Sequence, residues 1–128
     1  MTTRTLVLLS AAIEAATGVA LIADPGFVVH LLLGAGLSGS GIAVGRVGGF
    51  GLLSLGLAGW PRADAATPSA IRALFAYNLL AALYLGYLRV GGGFDGSLLW
   101  PACALHAVLT VLFARPAYET VVASGRSG

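Results

Sequence analysis

The chain has 128 residues, 58% of them hydrophobic and only 9% charged, with a mean hydropathy of +0.93. A soluble domain carries about 25% charged residues to keep its surface wet, so this composition excludes an ordinary water-facing surface and points to lipid. The isoelectric point near 9.1 comes from seven Arg and no Lys against five acids, with no clustered basic run, so the footprint that nucleic acid requires is missing.

Four stretches approach the roughly 20 apolar residues that a helix needs to cross a bilayer. The first is residues 5–23. Arg4 followed by Leu6 to Ile13 has the outline of a signal peptide, but Glu14 ends the apolar core and no good small-x-small cleavage site follows, which favours an uncleaved first span. Asp24-Pro25-Gly26 stops it. Asp24 can cap a new helix with Pro25 in its first turn. That next piece, Phe27 to Leu33, is too short to span and is expected to lie in the interface or fold back into the bundle. A Gly- and Ser-rich break follows, from Gly34 to Gly41.

The second span is read at 42–59, ending at Trp60-Pro61, and a polar loop with Arg62 and Asp64 leads to Thr67. The third, 68–89, starts at Pro68 with Thr67 as its cap. A Gly-rich turn precedes the fourth, 97–114, which Arg115-Pro116 is expected to end. Residues 1–115 are thus read as one bundle and 116–128 as a short polar tail, expected to be mobile. The fold class is all-α: an integral membrane four-helix bundle with a short interfacial helix after the first span. No internal repeat points to an inverted-repeat transporter.

Arginine placement orients this bundle. With both termini cytoplasmic, Arg4, Arg62, Arg72, Arg115 and Arg126 lie inside, and Arg46 and Arg89 outside, as the positive-inside rule requires. Trp60 and Trp100 fall near opposite faces, where aromatic belts form. Asp24 and Asp95 then face outward.

Lipid gives helices no hydrophobic drive to associate, so small residues and polar contacts must hold them together. Gly41, Gly45 and Gly49 recur every four residues in the second span, and Ala11/Ala15 and Ala12/Ala16 pair likewise in the first. This pattern is read first as packing within the bundle. A homodimer face or a docking face for a membrane partner is the alternative.

Glu14 sits near the centre of the first span, where a charge costs at least about 2.5–3.5 kcal/mol. Asn78 and His106 fall at the same depth in their own spans, and the long side chain of Arg46 is within reach of that level. Ser10 and Thr17 flank Glu14 one turn either side, Tyr77 adjoins Asn78, Tyr84 lies two turns along the face of Tyr77, and Cys103 and Thr110 share the face of His106. Two readings follow. In one, Glu14 pairs with Arg46 while Asn78 and His106 bridge helices at about 0.6–2 kcal/mol per bond. In the other, the layer binds a small molecule, lipid or quinone, or relays a proton, because intramembrane ionisable groups default to functional sites.

A metal- or haem-binding redox subunit is a third reading. Glu14, Cys103 and His106 are suitable ligand types, but Cys103 and His106 lie one helical turn apart and a third ligand must come from another span. Paired-histidine haem is disfavoured because His30 and His106 differ in depth. No metal or cofactor is therefore assigned. Walker, dinucleotide, nucleophile-elbow and HExxH motifs are absent, and the chain is read as non-enzymatic.

The run Gly45-Arg46-Val47-Gly48-Gly49, continuing through Leu52 to Trp60-Pro61, resembles a signature of small bacterial membrane proteins of unknown function. Tyr77-Asn78-Leu79-Leu80 with Tyr84, and Leu98-Leu99-Trp100-Pro101 through His106, extend the likeness over most of the chain. In size and helix count the chain is loosely similar to the DoxX-like family. The resemblance implies a four-helix protein of a bacterial cytoplasmic membrane and carries no assigned activity.

Overall fold

A computed structural model of the chain describes residues 1–60 and 66–125. It holds five helices and, among the described residues, no strand: α1 (Thr3–Ala23), α2 (Pro25–Leu33), α3 (Gly39–Gly59), α4 (Pro68–Val90) and α5 (Leu99–Gly125). All but α2 are long and apolar enough to cross a membrane. Arg62, Asp64 and Arg126 lie outside the described residues.

The helix starts follow local chemistry. Thr2 accepts a bond from the Thr5 amide at 3.2 Å, and Asp24 accepts one from the Phe27 amide at 2.9 Å, with Pro25 in the first turn of α2. Thr67 does the same for Ala70 at 3.3 Å ahead of Pro68. Each cap occupies one of the amides that a helix start leaves unpaired. Gly34 ends α2 in the left-handed region, at φ 72°.

The fourth long helix departs from the sequence reading. Pro116 lies inside α5, which continues to Gly125, so the segment read as a mobile tail is helical through Gly125. Proline removes one backbone donor from the ladder. Thr120 and Ser124, whose hydroxyls bond the Ala117 and Thr120 carbonyls at 2.7 and 2.6 Å, occupy the turns beyond Pro116.

Most tertiary packing falls within two antiparallel pairs, α1 with α3 and α4 with α5. Glycine explains the first pair. Eight of the 21 residues of α3 are glycine, a composition that weakens a helix in water by up to about 1 kcal/mol per residue. What it permits is backbone contact. A methyl group on Gly56 would lie 2.6 Å from the Ala11 carbonyl oxygen, and one on Gly49 would lie 2.8 Å from that of Gly18. The close stripe on α3 therefore runs through Gly49, Leu53 and Gly56, against Ala11, Ala15, Gly18 and Ile22. Of the Gly41/Gly45/Gly49 series, Gly49 alone meets α1. Gly45 faces Pro25, and Gly41 faces Leu37 just ahead of its own helix. The series is used inside the chain.

The two pairs meet tightly at the end that carries the N-terminus and the last turn of α5. There Leu6 and Val7 of α1, Ile71 and Leu74 of α4, and Leu109, Phe113 and Ala117 of α5 form a buried core. At the opposite end Leu85, Leu88 and Leu99 form a smaller one, with Leu32 and Leu33 of α2 against it. The Leu98 amide donates to the Leu31 carbonyl at 2.9 Å, tying α2 to the start of α5. Between the two cores the pairs stand apart.

Candidate functional site

Just beyond the first core, helical spacing brings polar side chains from three helices to one level. Ser10 and Glu14 project from α1 one turn apart, Tyr77 and Asn78 come from α4, and His106 from α5. Ser10 and Asn78 are fully buried, Glu14 is 1% exposed and His106 9%. Asn78 organises the layer. Its Nδ2 donates to Ser10 Oγ at 3.1 Å and to the Leu74 carbonyl at 2.8 Å, so its Oδ1 is left to accept from His106 Nδ1 at 2.8 Å. The Tyr77 ring meets that of His106 edge to face, with centroids 5.6 Å apart at 82°.

The Tyr77 hydroxyl faces the Glu14 carboxyl and couples to it electrostatically. Even so, Glu14 Oε1 is buried with no hydrogen-bond partner among the described residues. A buried polar atom left without a partner costs about 1–3 kcal/mol, and more when charged. The layer is therefore joined but not closed.

Above it, between the pairs, lies a cavity of about 950 Å³. Its floor is Tyr77 and His106, its walls come from Thr17, Leu21, Ala81, Leu85 and Ala102, and α2 covers it through Phe27, Val28, Leu31 and Leu32. Apolar side chains dominate the lining; Thr17, Asp24, Tyr77, Tyr84 and His106 are the polar exceptions. Glu14 and Asn78 do not line it and stand behind Tyr77 and His106.

The other candidates are placed elsewhere. Arg46 is exposed and forms no ion pair with Glu14; the ion pair among the described residues is Arg115–Glu119, at 2.9 Å on the exposed face of α5. The pairing of Glu14 with Arg46 is thus corrected: Arg46 sits on the outward side of α3. Tyr84 is 62% exposed and stacks on Tyr87 at 6.3 Å while edging the cavity. Cys103 is half-buried, and its thiol points to the Ala82 carbonyl at 3.5 Å, out of the polar layer. Thr110 bonds the carbonyl of His106 at 2.8 Å, and His30 is exposed. Among the described residues no three His, Cys, Asp or Glu side chains converge as a metal site would need.

Sequence reasoning missed the cavity and the role of α2 as its cover. The available signal was an apolar helix of nine residues, too short to span, next in the chain to a span that carries a buried polar layer. No protein family, curated protein or solved structure matches the chain.

Proposed function

We propose that this is a four-span protein of a bacterial cytoplasmic membrane, termini inside, that holds a small, mostly apolar molecule such as a lipid or a quinone-type compound between its helix pairs. The observation that carries this reading is the apolar cavity with Tyr77 and His106 at its floor. Its volume of about 950 Å³ falls within the range of about 300–1,000 Å³ common to small-molecule sites, which pair apolar walls with a few convergent polar groups. Four apolar helices and the arginine bias support the membrane placement. A proton relay is less well supported, because the polar layer abuts the core of Val7, Leu74, Leu109 and Phe113, which offers a proton no polar group.

Native mass spectrometry of the detergent-purified protein with added 1-decanol or decylubiquinone tests the reading. Wild type retains at least one of them at one copy per chain. Ala81→Phe, which fills the cavity wall, loses it while remaining helical by circular dichroism. Retention of neither probe by wild type, or equal retention by Ala81→Phe, overturns it.

A further inference from the structure

The hydrogen bonds of Asn78 fix which atoms the cavity floor presents. Its Nδ2 is committed to the Leu74 carbonyl at 2.8 Å, an atom that can only accept, and to Ser10 at 3.1 Å. The side-chain amide is thereby oriented with Oδ1 towards His106, at 2.8 Å from Nδ1. An amide oxygen has no proton to give, so the proton in that bond belongs to Nδ1. In a neutral imidazole with Nδ1 protonated, Nε2 carries a lone pair. No group of the described residues bonds Nε2, yet it is not among the sealed, partnerless atoms, a set that holds Glu14 Oε1 alone among those residues. Nε2 therefore reaches open space, and His106 lines the cavity. A charged ring there, with no carboxylate bonded to it and apolar walls above, is costly.

We infer that His106 Nε2 is a hydrogen-bond acceptor that selects ligands by a hydroxyl donor: an alcohol, phenol or quinol head in preference to a ketone, quinone or ether. The Tyr77 hydroxyl is directed at the Glu14 carboxyl, so selection is assigned to His106, whose Nε2 has no such partner. A ligand carrying only acceptors would set its own lone pairs against that of Nε2 and leave both unpaired. This inference rests on the cavity being a binding site, and it adds the chemistry of the head group.

Two measurements test it. The first uses native mass spectrometry with 1-decanol and decyl methyl ether, matched in their apolar chain. The alcohol binds wild type about three- to tenfold more tightly, the range set by one hydrogen bond. In His106→Phe the preference disappears while the ether still binds. Binding of neither compound defeats the cavity reading itself, whereas equal binding of both defeats only the selection by His106. The second needs no ligand and no variant at the site. ¹⁵N NMR of histidine-labelled protein, with His30→Ala to leave one resonance set, shows a proton on Nδ1 and none on Nε2. A ring protonated at Nε2, as the other tautomer or as an imidazolium, overturns the inference.

Discussion

Asn78 on α4 and Ser10 on α1 are joined at 3.1 Å although 68 residues separate them in sequence. The same side chain bonds His106 on α5, so one amide ties together three helices that otherwise form parts of two separate pairs. Between apolar helices such bonds average about 0.6 kcal/mol and reach about 1.7.

Asn78→Leu removes all of them and strands the Ser10 hydroxyl and the His106 ring. The expected outcome is a loss of about 1–3 kcal/mol in unfolding measured in detergent. Ser10→Ala, which deletes a single bond, loses no more than about 1.7 kcal/mol. If Asn78→Leu matched wild type, the layer would not be holding the pairs together.

The contact of α1 with α3 predicts a contrast between two glycines of one helix. A methyl on Gly56 would meet the Ala11 oxygen at 2.6 Å and the Ala15 nitrogen at 2.7 Å, both backbone atoms that cannot swing aside. A methyl on Gly48 would meet nothing within 4 Å. Gly56→Ala therefore costs about 1–3 kcal/mol by overpacking, while Gly48→Ala is neutral or gains up to about 1 kcal/mol from helix propensity. Thermal unfolding of the two variants side by side reads the difference directly. Equal effects would show that backbone contact does not set this interface.

What the sequence disclosed and what it withheld divide along a physical line. Caps are local, so Asp24 before Pro25 and Thr67 before Pro68 were legible, and the four long helices followed from apolar length. Depth along a helix was legible too, which is why Glu14, Asn78 and His106 fell at one level. Rotation about a helix was not. With glycine spread around α3, several faces offered close approach, and the one chosen turned Arg46 outward instead of towards Glu14. Pro116 misled because proline costs a helix one amide bond without always ending it, and α5 runs on through it to Gly125. The cavity depends on how far the two pairs splay, a property of the whole assembly that no single segment encodes.

Orientation is open to a direct check. In a Cys103→Ala background, Asp95→Cys falls on the end away from the termini and Thr3→Cys on the terminal end. With the termini cytoplasmic, a membrane-impermeant maleimide added to intact cells labels the first and spares the second until the membrane is broken. The reverse pattern would invert the topology, and with it the side from which the cavity is reached.

Glu14 gives the last prediction, and its sign is the informative part. Oε1 is sealed from solvent and bonded to nothing among the described residues, while the Tyr77 hydroxyl faces the same carboxyl. An ionised group so placed opposes folding, by at least about 2.5–3.5 kcal/mol at a helix centre on the mildest scale. Glu14→Gln keeps the shape and an oxygen for Tyr77 while ruling out any charge, so the variant should unfold at or above the wild-type temperature. If it instead lost more than about 1 kcal/mol, the carboxylate would have a stabilising partner and the layer would be a structural network.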